Sequence, residues 1–201
     1  IAAIAADFTI RAHKIGMLGT ADMIACVAAS LRDCNFGALV LDPVMIAKGG
    51  APLLQSDAIA ALKCELLPRA TLITPNLPEA EQLADIRISD DADIARAARI
   101  LRQQGAHAVL IKGGHGEGDT CRDWLFHDGE TLTLDNPRHA TPHTHGTGCT
   151  LSACITAELA KGATLTDAVR TAKAYISAAI AHPLNIGHGH GPVNHWAYDE
   201  T

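Results

Sequence analysis

THGTGCTLSACITAELAKG, residues Thr144–Gly162, joins a Gly-Thr-Gly turn directly to a helical pattern. Leu151, Cys154, Ile155 and Leu159 fall at i, i+3, i+4 and i+8, one face of a 3.6-residue period. Gly162 stands where a C-terminal cap is expected. Glycines let the backbone approach a ligand closely, and the unpaired N–H groups of a first helical turn attract an anion. Cys149 puts a thiol at the mouth of this turn. Two readings fit. One is an anion hole for a phosphate with a polarised side chain beside it. The other is a tight strand-to-helix turn with a buried cysteine. A Gly-x-Gly before a helix does not by itself separate them.

Outward from this stretch, the chain alternates strand and helix. Ile1, Ile4, Ala5 and Phe8 keep helical spacing but have nothing before them to cap the helix. His13 to Leu18 reads as a short strand entering a loop, and Thr20 as the cap of a helix through Ile24, Val27, Ala28 and Leu31. Ala38–Leu41 is a continuous apolar run, the mark of a strand buried on both faces, and it ends in Asp42-Pro43. Ser56 is expected to cap a helix stopped by Pro68. Buried strands follow at Ala70 to Thr74, ending in Pro75-Asn76, and at Ala108 to Ile111, ending in Lys112-Gly113-Gly114. Between them a helix begins at Ser89 to Asp91 and ends at Gly105.

After Gly114 the pattern changes. Asp123 to Phe126 and Thr131 to Leu134 flank His127-Asp128-Gly129-Glu130 as a β-hairpin. Beyond the glycine turn, Thr164 and Asp167 open a long helix through Val169, Ala172, Ile176 and Ile180. The Gly- and His-rich tail from Gly187 reads as loop. Buried strands separated by amphipathic helices predict a three-layer α/β/α sandwich with a mostly parallel central sheet. With no repeat and no linker-like composition, residues 1–201 read as one domain. In such folds ligands bind beyond the C-terminal strand ends, which here carry Gly16-Met17, Asp42 to Met45, Asn76 to Glu79 and Lys112.

Composition narrows the function. Aromatics are only 3%, so Leu, Ile, Val and Ala must build the core. A net charge of −6 with no basic run disfavours nucleic acid. No apolar stretch reaches the roughly 18 residues of a membrane span. Six cysteines without a C-x-x-C suit a reducing, cytoplasmic setting. Neither a P-loop nor a G-x-G-x-x-G fingerprint is present.

Each candidate group has a plain alternative. Asp42 is either ordinary Asp-Pro turn chemistry or an acid that positions Mg²⁺ through water. Asn76 and Glu79 spell a capping box, and both can also face a Mg²⁺–phosphate region. Lys112 is a phosphate-reaching lysine or a solvated strand end. Lys173, beside an apolar stripe, is a ligand group or a snorkelling side chain. The histidines His143, His145, His188, His190 and His195 lack partners at zinc-site spacing. A Cys149–His hydrolase would leave the other strand-end groups without a role.

Taken together, KIGML (14–18), VLDPVM (40–45), LITPNLPEAEQL (72–83), VLIKGGH (109–115), THGTGCTLSA (144–153) and GHGPVNH (189–195) resemble the ribokinase-like superfamily. Within it they resemble the hydroxymethylpyrimidine/phosphomethylpyrimidine kinase family. Most ribokinase-like kinases carry an aspartate where this chain has Cys149. The resemblance implies ATP and Mg²⁺ as cofactors and a small-molecule pyrimidine substrate phosphorylated twice on the way to thiamin. Gly146, Thr147 and Gly148 would form the anion hole, Cys149 would stand at the general-base position, and Lys112 would serve the transfer. Asn76, Lys112, His145 and Lys173 would line the ATP site. Asp42 and Glu79 would support Mg²⁺ through water, and Met17 and Val44 would touch the pyrimidine ring. A homodimer is the family's habit. Members open with a strand and a Gly-rich segment that this sequence does not show, so the kinase domain is expected to be N-terminally incomplete. That leaves two alternatives: a pyridoxal-type kinase, and a truncated nucleotide-binding domain without catalysis.

Overall fold

The apolar runs form the middle of one sheet. β1 (Ala12–Ile15), β2 (Ala38–Leu41), β3 (Leu72–Ile73) and β4 (Ala108–Lys112) pair in parallel, and the hairpin β5 (Thr120–His127) and β6 (Glu130–Pro137) continues antiparallel. The strand order β1-β2-β3-β4-β5-β6 follows the chain. The computed structural model describes residues 1–46, 53–114 and 118–198. His115 of the VLIKGGH segment and residues 199–201 of the tail lie outside the described residues.

That sequential order has a geometric consequence. Parallel steps taken repeatedly in one direction, each with a right-handed crossover, leave every crossover helix on the same face. α1 (Ala2–Asp7) precedes β1; α2 (Ala21–Asp33), α3 (Ser56–Ala61), α4 (Leu77–Ala84) and α5 (Asp91–Gln103) make the crossovers. Their buried residues, among them Ile24, Ala58, Leu83 and Leu101, share a core with Leu39, Leu41, Ile73, Val109 and Ile111. The alternate strand residues Val40, Leu72, Ala108 and Leu110 point the other way. They meet Leu151 and Ile155 of α6 (Thr147–Lys161) and Val169, Ala172 and Ile176 of α7 (Leu165–Ala181). The expected α/β/α layering is therefore present, with its second helical layer supplied after the hairpin.

Local chemistry explains most boundaries. The Thr20 and Asp90 side chains accept from the N–H groups of Met23 and Asp93 and start α2 and α5. Asp128 (φ 50°) and Gly129 (φ 82°) make the two-residue left-handed turn that suits a twisted hairpin. Ile1 stands at the start of α1 without a side-chain cap, and Ile4 and Phe8 are more than half exposed. Three expectations need correction. Gln55, not Ser56, is the cap residue of α3, and it makes no side-chain capping bond. Pro68 does not stop the chain's helical path. A π-helical turn, Leu62–Leu66, runs into a 3₁₀ turn, Leu67–Arg69, whose opening residues tolerate a proline because no N–H is needed there. The strand read from Ala70 to Thr74 pairs only over Leu72–Ile73.

The placement of α6 sets the position of the glycine turn. The helix packs on β1 and β2, seated by Ile155, which is fully buried. That seating aims its first turn at the C-terminal ends of the parallel strands.

Candidate active site

The turn before α6 is built on backbone conformation. Gly146 is the N-cap with φ 87°, a left-handed value that favours glycine. The helical ladder opens with the Thr150 N–H donating to the Gly146 carbonyl at 2.8 Å. The N–H groups of Gly148 and Cys149 precede that bond, so they belong to the first turn that attracts an anion. Thr147 Oγ1 donates to the Thr144 carbonyl at 2.7 Å and braces the turn from behind. Cys149 is exposed, not buried, which removes the packed-cysteine reading. The tail docks here too. The His145 N–H donates to the Gly191 carbonyl at 3.1 Å, and the Val193 N–H donates to the His145 carbonyl at 3.2 Å.

Asp42 sits at the tip of β2 and is 1% exposed. Lys112 Nζ, from the end of β4, donates to Asp42 Oδ1 at 3.1 Å. Thr74 Oγ1 lies 3.3 Å from the same oxygen, and Ser152 Oγ, from α6, lies 3.2 Å from Oδ2. Lys14 Nζ is 3.8 Å from Oδ2, an ion pair beyond hydrogen-bond length. A Cβ built on Gly148 would stand 3.3 Å from Lys112 Nζ and 3.9 Å from Asp42 Oδ2. The glycine turn and the buried Asp42–Lys112 pair are thus in direct apposition.

Asn76 and Glu79 do form the capping box of α4. Glu79 N–H donates to Asn76 Oδ1 at 2.9 Å, and Asn76 N–H donates to Glu79 Oε2 at 2.8 Å. Asn76 also bridges to Lys112 in parallel register. The capping box therefore stands directly beside the end of β4. Burial pushes the Glu79 carboxyl above its ordinary range; Lys112 and the N–H of Asn76 pull it back only in part, and Asp42 adds to the rise. For Lys112, burial alone would lower the ammonium. Asp42 and Glu79 outweigh it and hold the group above its ordinary value.

The other expected groups fall in different places. Met17 is exposed in the loop after β1, and Val44 is half-buried after β2, where its N–H donates to the Asp42 carbonyl at 2.8 Å. Both follow the C-terminal ends of their strands. The His145 ring is exposed. Lys173 is the clear departure: it neither snorkels nor opens on the glycine turn, but is buried against Asp123 of the hairpin, Nζ to Oδ2 2.7 Å. Among the described residues, no group of three or more His, Cys, Asp or Glu is placed to hold a metal ion directly. A cavity of about 590 Å³ opens at the opposite end of β4, between α5 and the hairpin turn, and shares no residue with this cluster.

Lys14, Thr74 and Ser152 were not legible as site residues. The one available signal was Lys14 itself, a charge inside a strand of four residues.

The chain is similar to known proteins over most of its length. The sequence pattern described as phosphomethylpyrimidine kinase matches residues 1–194. A hydroxymethylpyrimidine/phosphomethylpyrimidine kinase of Haemophilus influenzae is 63% identical over 196 residues, covering 96% of this chain and 73% of the relative. One of Helicobacter pylori is 48% identical over 200 residues, covering 98% and 74%. A solved structure of pyridoxal kinase from Staphylococcus aureus in complex with AMP-PCP and pyridoxal superposes with a TM-score of 0.85 at 35% identity, covering 92% of this chain and 67% of that one.

Proposed function

This chain belongs to the phosphomethylpyrimidine kinase family and is a phosphotransferase that uses ATP, and we propose how its residues divide the work. The substrate is 4-amino-5-hydroxymethyl-2-methylpyrimidine and then its monophosphate, the kinase chemistry of thiamin biosynthesis. The hydroxymethyl oxygen, and in the second round the phosphate oxygen, attacks the γ-phosphorus of ATP in line. The P–O bond to ADP breaks as the new P–O bond forms.

In a loose phosphoryl-transfer transition state, catalysis is mainly positioning and charge neutralisation. The first-turn N–H groups of α6 and the Lys112 ammonium receive the transferring group. Cys149, exposed at the same turn, takes the proton from the substrate hydroxyl. Asn76 and His145 line the nucleotide side, and Met17 and Val44 the ring side. The observation that carries this reading is the apposition of Gly148 with Lys112 Nζ, at 3.3 Å from a built Cβ.

Mg²⁺ belongs to the reading through Asp42 and Glu79. Asp42 has protein donors on both oxygens, and Glu79 Oε2 is engaged by Asn76. That donor set fits support through retained metal waters, as Mg²⁺ prefers. The ion, when bound, supplies neutralisation of phosphate charge. A homodimer, a cytoplasmic location and residues 1–201 as a single kinase domain complete the reading. The free thiols at all six cysteines support the second of these.

A second reading, pyridoxal phosphorylation, is favoured by the likeness to the pyridoxal-bound kinase. A coupled assay of ADP release with the hydroxymethylpyrimidine, its monophosphate and pyridoxal decides between them. Turnover of the two pyrimidines supports the first reading, and turnover of pyridoxal alone the second.

A further inference from the structure

Lys173, on α7, and Asp123, on β5, form an ion pair whose side chains are 7% and 6% exposed. Lys173 Nζ donates to Asp123 Oδ2 at 2.7 Å and to the Cys121 carbonyl at 3.1 Å. The other carboxylate oxygen, Oδ1, accepts from the backbone N–H of Gly113 at 2.9 Å. Gly113 is the first residue beyond β4 and comes directly after Lys112. In the β4–β5 ladder, Lys112 lies opposite Asp123. A Cβ at position 113 would lie 2.0 Å from the Arg122 carbonyl oxygen, so the end of β4 is pressed against β5. On its other side, the Lys112 N–H donates to the Pro75 carbonyl at 2.8 Å.

A buried ion pair is a poor way to gain stability. Replacing both partners by apolar residues is often neutral or better for folding, because each charge must be desolvated. The pair here does something an apolar pair cannot, since it presents a charged acceptor to one particular backbone N–H. We infer that Lys173 and Asp123 are positioning residues for phosphoryl transfer. The Lys173 ammonium holds the Asp123 carboxylate in one orientation. The carboxylate clamps the Gly113 N–H, and the clamped peptide fixes the base of the Lys112 side chain. Lys112 then reaches Asp42 and the first turn of α6 from a set point. This rests on the reading of Lys112 as the cation that meets the transferring phosphate.

The test uses paired substitutions in the full chain. Asp123→Leu with Lys173→Met removes the clamp while keeping the site apolar. Asp123→Asn with Lys173→Met keeps a neutral acceptor for Gly113. The first pair is expected to melt close to wild type yet lose about 10- to 100-fold in kcat, the scale on which a misplacement near 1 Å costs rate. KM for both substrates should change less than about 3-fold, on the same argument that positioning is lost and binding kept. The second pair should recover most of that loss. A leucine pair that folds and turns over like wild type overturns the inference, as does an asparagine pair no better than the leucine pair.

If the leucine pair does not fold, hydrogen exchange at the Gly113 amide in the wild-type protein decides. Strong protection supports the clamp, and free exchange overturns it. Lys112→Met separates this inference from its premise. Unchanged turnover in that variant refutes the role given to Lys112, whatever the paired variants do.

Discussion

Lys112 and Asp42, separated by 70 positions in sequence, meet with Nζ and Oδ1 3.1 Å apart at the buried ends of β4 and β2. Asp42→Ala would leave the ammonium, 14% exposed, without its main partner. Breaking one side of such a pair costs about 3–5 kcal/mol. For a chain of this size each kcal/mol lowers Tm by about 2–4 °C. A melting curve should therefore show a large drop, and a Tm within a degree of wild type would contradict the pairing. The pH dependence has a definite sign. Lys112 has a raised pKa, so its contribution is fully present below its unfolded value of 10.5 and is lost only as pH rises through the higher folded value. Between neutrality and pH 9 no loss of stability should trace to Lys112.

Gly148→Ala separates stability from turnover. Gly148 is the second residue of α6, and a Cβ there meets a flexible amine 3.3 Å away, not backbone. The variant should melt within a few degrees of wild type, the scale of about 1 kcal/mol for a chain of this size. Because Lys112 must move aside, kcat should fall by about 10- to 100-fold, the range typical of displaced catalytic geometry. Unaltered kcat would mean that Lys112 does not work at this turn.

Glu79 gives a stability signature in acid. Burial raises its folded pKa above the unfolded value of 4.5. From that value up to the higher folded pKa, the folded state holds more protons than the unfolded state, so stability falls as pH rises. Glu79→Gln keeps an acceptor for the Asn76 N–H and cannot ionise. The Tm of the glutamine variant relative to wild type should be higher at pH 7 than at pH 4. A difference that does not change with pH would contradict the raised pKa.

Cys149→Ala tests the proton acceptor. The thiol is exposed, so stability should hold. Turnover should fall at least about 100-fold, the usual scale for a general base. A rate like wild type would remove Cys149 from the mechanism.

Much of this architecture was legible because its signals are local. Val40 and Leu41 sit in a run apolar on both faces, and Asn76 with Glu79 spells a cap within one helical turn. Asp128-Gly129 announces its own turn. The shell around Asp42 is different in kind. Thr74 and Ser152 reach it from 32 and 110 positions away, and no periodicity encodes such a meeting. The partner of Lys173 is hidden for the same reason. On its helix it looks like a charge beside an apolar stripe, and only the hairpin, 50 positions earlier, supplies the carboxylate that buries it. Pro68 differs in another way: the rule that proline ends a helix holds for interiors, and this proline lies in the opening residues of a 3₁₀ turn.

The most direct test is steady-state phosphoryl transfer from ATP, followed by product mass, in wild type and Lys112→Met. The hydroxymethylpyrimidine should gain one phosphate and then a second in the wild-type reaction. Lys112→Met should bind ATP yet transfer at least about 100-fold more slowly, the scale of losing one electrostatic group at a developing charge. If the wild-type chain phosphorylates neither pyrimidine while still binding ATP, or if Lys112→Met transfers at the wild-type rate, the chemistry does not occur at the Lys112–Asp42 pair and the glycine turn.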